Sequence, residues 1–280
     1  MSKLGIGTSL SKAGIVTPGI VTSNLVLKHN YSAGAVVPVS DGAAFFDGDD
    51  DYITINGLAA GLETDDAFTF SLWFMSTGAV TGSGHGAEML LSAHDADDVN
   101  TFRLGLNSSS SGTTLGGFMI DSDDPAIALF LVHDNADDGS GTSYFDSKWH
   151  HVAITRAAGS GNQNTSIYID GILLKYIYIS DGTSQSTNGV FDRDSFEWDD
   201  VTKFSIGQEW DGSPTAGDFF KGYICNIGVW TSVLTQAQIK SIMWKNYVGL
   251  TSSETTNLVS WWNLSVDAND SHGSNNGTLS

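Results

Sequence analysis

Cysteine is almost missing. Cys225 is the only one in 280 residues, so no disulfide can form within the chain, and such a domain is compatible with a reducing cytoplasm. Basic residues are also scarce, at 12 against 32 acidic, for a net charge of −20. A surface of that sign repels nucleic acid, whose phosphates need Lys and Arg to neutralise them. It disfavours anionic membranes and favours divalent cations. No run of 18 apolar residues exists, so no helix is expected to span a membrane. The opening MSKLGIGTSLSKAGIVTPGIVTSN lacks a continuous apolar stretch, so a secretory signal is not expected. Proline occurs four times, and a helical period shows in one short stretch only.

What is present is glycine (32), phenylalanine (14) and tryptophan (8), enough for a sizeable core built from many strands joined by glycine turns. Lys148 to Leu174 organises the chain. Trp149, His151, Ala153 and Thr155 alternate with His150, Val152, Ile154 and Arg156, which sends one set to each face of a strand. A small, polar run from Ala157 to Thr165 must turn. A second strand follows from Ser166, and Asp170-Gly171 opens another tight turn.

The pattern W-x-H-V-A-x-T-R, then a loop, then I-Y-I-D-G resembles the central hairpin of laminin-G-like domains, a branch of the concanavalin A-like lectin/glucanase sandwiches. Other stretches resemble the same family in the same order. They are Phe46 to Ile53 (F-D-G-D-D-D-Y-I), Phe68 to Trp73 (F-T-F-S-L-W) and Phe219 to Trp230. In the last, Cys225 stands where the family carries an Asp. Strands are expected near 88–93, 101–106, 117–121, 127–133, 176–179 and 203–207, with a long polar loop over 180–200. Leu234 to Met243 reads as a helix, with Thr235 as N-cap and Gln238 completing a capping box. Ile239, Ile242 and Met243 share its apolar face.

The expected fold is all-β, a concanavalin A-like jelly-roll sandwich of two antiparallel sheets with one short helix. It would occupy residues 41–250, after an extended arm (1–40) and before a C-terminal tail (251–280). The tail pattern L-V-S-W-W-N-L...D-S-H-G-S-N-N-G-T-L resembles the opening of the family's domains, yet closes this chain. It would complete its own sandwich as in a circular permutation, complete a neighbouring copy, or begin a truncated second domain.

Enzymes on this fold carry paired strand carboxylates about 5 Å apart. Here Glu63, Glu88, Glu197, Glu209 and Glu254 are scattered and unpaired. No G-x-S-x-G or phosphate loop exists, so no catalysis is expected. Calcium is the more plausible chemistry, because hard cations need carboxylate, amide and carbonyl oxygens. Asp49, Asp50 and Asp51 offer one set; Asp267, Asp270, Asn275 and Asn276 offer another, and the resemblance implies a shared site. The competing reading is a set of Asx turns. Trp198 with Asp199, and Trp210 with Asp211, are expected in polar loops and are the candidate sugar platforms. The openings S-L-S-K-A-G-I-V-T and L-V-L-K-H-N-Y resemble structural proteins of marine tailed phages. The expectation is therefore a virion decoration or fibre subunit made in the host cytoplasm. It would dock on other virion subunits through the weakly basic residues 1–40, form a homo-oligomer and present a lectin-like domain to cell-surface glycan. The alternative is a free bacterial carbohydrate-binding module or adhesin, secreted or at the cell surface.

Overall fold

The computed structural model describes residues 40, 42–58, 62, 67–78, 86–95, 100–108, 117–121, 130–133, 144–158, 164–174, 176–179, 185–186, 191–192, 201–211 and 215–280. In chain order the strands are β1 (Ala44–Asp47), β2 (Ile53–Ile55), β3 (Phe68–Ser76), β4 (Gly86–Asp95), β5 (Asn100–Ser108), β6 (Gly117–Asp121), β7 (Phe130–His133), β8 (His150–Arg156), β9 (Asn164–Ile169), β10 (Ile172–Leu173), β11 (Tyr176–Ile179), β12 (Gln185–Ser186), β13 (Phe191–Asp192), β14 (Val201–Ile206), β15 (Glu209–Asp211), β16 (Thr215–Gly217), β17 (Lys221–Trp230), β18 (Leu258–Trp262) and β19 (Gly277–Leu279). The helix α1 spans Gln236–Ile242.

One sheet runs β1-β17-β3-β8-β9-β10, with β18 also on β17 and β13 on β9; the other runs β12-β11-β7-β6-β5-β4-β14-β2-β19. Neighbours in both are antiparallel, as in the β3–β8 and β4–β5 pairs. The alternation in β3 explains why the sheets stack. Phe68, Phe70, Leu72 and Phe74 all point into the main core. Phe70 meets rings of the opposite sheet there, stacking 5.2 Å from Phe102 and 5.8 Å from Phe204. Burial of such apolar area is the main stabilising term.

The outer face of the first sheet is partly roofed by α1. Thr235 caps it and exchanges hydrogen bonds with Gln238 as a capping box. Its buried side packs Ile239 and Ile242 against Ala153, Trp230 and Trp261. Met243 covers Trp73 and Cys225, and Trp73 Nε1 donates to the Met243 carbonyl at 2.8 Å. Cys225 is fully buried, and burial pushes its thiol up to about 12. A carboxylate in its place would be desolvated beneath the helix. The β3–β17 register shifts between Cys225 and Gly228, with Asn226 at φ 49°. This bulge lets Ile224 and Ile227 both face the main core, re-aiming the strand as bulges do.

The C-terminal segment pairs within its own chain. β18 lies on β17 and β19 on β2. Trp262 enters the main core and Trp261 the cluster under α1. Two expectations about loops need correction. Within 180–200 the strands β12 and β13 are present. The polar stretch around Trp210 forms the hairpin β15–β16.

Candidate functional site

β1 ends at Asp47, and the chain reverses through Gly48 at φ 80°. A Cβ on Gly48 would stand 2.7 Å from Lys221 Cβ, so glycine is required by both conformation and space. The reversal folds the following acids back onto Asp47. Its Oδ1 accepts the Asp49 N–H at 2.8 Å and the Asp50 N–H at 3.3 Å, and Asp51 Oδ2 accepts the Asp47 N–H at 3.1 Å. The backbone donor of Asp49, then those of Asp50 and Asp51, hold the Asp47 carboxyl below its ordinary value. One oxygen from each of Asp47, Asp50 and Asp51 lies within 4.8 Å of the others. Three hard donors in that span, two exposed and Asp51 half-buried, suit a calcium-type cation. Two of the expected residues, Asp50 and Asp51, belong to this group. Asp49 does not, and Asp47 takes its place.

The tail acids are arranged differently. Asp270 accepts backbone N–H groups from Trp261 (3.0 Å), His272 (3.0 Å), Gly273 (2.9 Å) and Asn275 (3.1 Å). Its carboxyl is depressed: burial opposes the charge, and these donors outweigh it. Asn276 Oδ1 accepts the Asp270 N–H, Asn275 Nδ2 donates to Ser260 Oγ, and Asp267 accepts from Asn269. These are Asx-type turns. Nor do the two groups share a site. Asn275 Oδ1 approaches Gly57, beyond the end of β2, whereas Asp51 precedes its start and Tyr52 pairs with Ser280.

Trp210 is not a platform. It is 8% exposed, its Nε1 donates to Ser205 Oγ at 2.8 Å, Tyr52 packs edge-on at 5.7 Å, and Lys203 Nζ lies 4.7 Å from the ring. Asp211 ends β15. Trp198 and Asp199 lie outside the described residues.

The open aromatic surface lies elsewhere, beside the acidic turn. Phe45 stands directly opposite Tyr223, and Tyr223 opposite Met75. Phe74 pairs with His150, so one further step along both strands sets Met75 against Trp149. The ring centroids are 5.0 Å apart for Phe45–Tyr223 and 6.3 Å for Trp149–Tyr223, each pair tilted by 52°. Phe46, Ile224 and Phe74, the sequence neighbours of three members, point inward, so the row occupies the outer face. Phe45 is 53% exposed; Tyr223, Met75 and Trp149 are half-buried. Trp244, 52% exposed, lies 5.7 Å from Trp73 where α1 ends. Sequence inspection missed this row because its members are 45, 75, 149 and 223, and only register joins them. Phe45 beside the inward Phe46 was the available signal.

Two histidines near the row have structural roles. His150 lies between Asp170 Oδ2 (Nδ1, 3.0 Å) and Asp146 Oδ1 (Nε2, 3.3 Å). His151 and Ser71 Oγ are 2.8 Å apart, but both are buried, burial drives the imidazole down to about 3, and its Nδ1 has no partner among the described residues. Among the described residues no carboxylate bonds this neutral ring, unlike the histidine of a catalytic triad.

Two apposed antiparallel sheets with one capping helix define a jelly-roll sandwich. The family model described as concanavalin A-like lectin/glucanases superfamily matches residues 47–240, and the chain belongs to that superfamily. Among solved structures, a candidate carbohydrate-binding protein of Bacteroides ovatus is similar at 16% identity and TM-score 0.52, over 85% of this chain and 57% of that one. A heptameric SAP-like pentraxin from Limulus polyphemus is similar at 15% identity and TM-score 0.44, over 71% and 79%. Domain 4 of an extracellular arabinanase from Geobacillus stearothermophilus, solved with arabinotriose, gives 17% and 0.43, over 75% and 82%. At these identities the likeness is one of fold. No curated protein matches the chain.

Proposed function

We propose that the chain is a non-enzymatic virion structural protein, a decoration or fibre subunit whose sandwich binds glycan at the face made by Phe45, Tyr223, Met75 and Trp149. The observation that carries the glycan reading is the juxtaposition of an open aromatic row with a three-carboxylate turn, because Asp47 ends the strand that holds Phe45. Aromatic rings meet the C–H faces of sugars, and polar side chains meet their hydroxyls. Asp47, Asp50 and Asp51 would hold calcium, which would fix the turn and supply a Lewis-acidic centre for hydroxyl oxygens.

The virion assignment is supported by charge. Residues 1–40 hold Lys3, Lys12 and Lys28 and no acid, whereas the remainder is strongly acidic, a division suited to an attachment segment before a solvated body. The non-enzymatic assignment is supported by the carboxylates within the fold. Glu88 bonds Ser76, Glu209 pairs Arg103 at 2.7 Å, and Glu254 pairs Lys245 at 2.6 Å.

A glycan array on the purified chain, with calcium and then with chelator, tests the proposal. Binding to a defined set of sugars, weakened by chelator, is expected; silence in both conditions would contradict it. Deleting residues 1–40 should abolish attachment to particles and leave sugar binding intact. Loss of neither would remove the virion assignment.

A further inference from the structure

Resting on the glycan-binding proposal, we propose that the row Phe45–Tyr223–Met75–Trp149 takes an extended, neutral polysaccharide along its backbone faces, running across the strands, and not a terminal or acidic sugar. The first argument is shape. The row crosses four strands in one register line, β1, β17, β3 and the lead into β8, about 14 Å at the normal strand spacing. Among the described residues nothing pairs with β1 on its far side, so the row runs to the sheet edge and a longer chain can continue past it. A pocket for a chain end would be closed; among the described residues this surface is open at its β1 end.

The second argument is the flanking chemistry. Two residues along each strand the outer face becomes polar: Asp47 stands opposite Lys221, the Thr77 N–H donates to the Lys221 carbonyl at 2.9 Å, and Ser147 follows. All four are exposed. Rings in one row and hydrogen-bonding groups of mixed charge in the next match a neutral pyranose or furanose chain, which has apolar faces and hydroxyl edges.

The third argument excludes other occupants. With net charge −20, uronate, sialic acid and sulfated chains are repelled across the surface, as are nucleic acid and anionic lipid. A second copy would bring another −20 against it. Four side chains, three of them half-buried, also fall far short of the roughly 800 Å² per partner of a stable interface.

The test is affinity electrophoresis through gels containing soluble β-glucan, xylan, glucomannan or arabinan, with polygalacturonate and alginate as acidic counterparts. It uses the full chain and the variants Trp149→Ala, Tyr223→Ala and Phe45→Ala. Val266→Ser, in an exposed part of the C-terminal segment, is the control, and near-ultraviolet circular dichroism checks each fold. The expected result is retardation by at least one neutral polysaccharide, weakened about tenfold or more by Trp149→Ala and Tyr223→Ala and unchanged by Val266→Ser. Equal retardation of wild type and row variants would overturn the platform while leaving glycan binding in place. Preferential retardation by acidic chains would overturn the substrate class. No retardation by any polysaccharide, together with a silent glycan array, would overturn both. Binding seen only after removal of residues 1–39, or a dimer on sedimentation that Trp149→Ala dissociates, would assign the row to those occupants and overturn the proposal.

Discussion

Asp170 holds both histidines of β8 at once: its Oδ2 lies 3.0 Å from His150 Nδ1, and its Oδ1 accepts the His151 N–H at 2.8 Å. Asp170 sits at φ 51° in the turn after β9, so the contact ties the turn to the segment carrying Trp149. Burial opposes charge on His150, but Asp170 and then Asp146 hold its pKa above the ordinary histidine value. Stability from a raised pKa is present below the unfolded value, near 6.5, and is lost as pH rises through the folded value. Glu88 acts in the same direction. Burial raises it to about 7, so its charging above 4.5 progressively weakens the fold. His151, depressed by burial, acts the opposite way below about 6.5, but His150 and Glu88 together outweigh it, so the domain should melt at lower temperature at pH 8 than at pH 6. His150→Gln should cost about 1–2 kcal/mol at pH 6 and shrink the difference between the two pH values. An unchanged pH profile in His150→Gln would refute the clasp.

Asp270 should dominate the stability of the tail. Four backbone N–H groups converge on it. Removal of the acceptor leaves partly buried donors unpaired, at about 2–3 kcal/mol. Asp270→Ala should lower the urea midpoint accordingly, and Asp267→Ala, whose acid among the described residues bonds Asn269 alone, should change it little. Equal effects would mean that the turn does not depend on Asp270.

Calcium should raise the melting temperature through the turn at Asp47, by the equivalent of about 2.7 kcal/mol at a hundredfold excess over Kd. Asp50→Asn and Asp51→Asn should abolish the increment. Asp270→Asn, though less stable, should keep it. An increment that survives both turn variants would place the ion elsewhere.

Phe70 joins the two sheets through Phe102 and Phe204. Phe70→Ala should cost about 3–5 kcal/mol, measured by chemical denaturation. A loss below about 1 kcal/mol would mean that the sheets do not meet there.

The strands β3 and β8 and the cap of α1 were legible because alternation and an S/T-x-x-E/Q-type box are local signals. The acidic trio of the β1–β2 turn was partly legible. Asp50 and Asp51 advertise themselves, but Asp47 joins them only because Gly48 turns the chain back. Trp210 misled because Glu-Trp-Asp-Gly looks like a loop in isolation. Its burial comes from Tyr52 and Ser205, and only tertiary structure supplies those contacts. The aromatic row was invisible for the same reason, since each residue is ordinary until four strands are placed in register.

The indole resonances report the central claim most directly. Trp73, Trp210, Trp230, Trp261 and Trp262 each donate Nε1–H to a partner inside the fold, whereas Trp149 ends the open row. Proton–nitrogen spectra should be recorded as neutral gluco-, xylo-, manno- and arabino-hexasaccharides are added in calcium buffer. Glycan binding at this face predicts that one of them moves the Trp149 indole signal while those of Trp230 and Trp262 stay fixed. A hexasaccharide that binds and leaves Trp149 unmoved, or a full set that moves no indole, would contradict it.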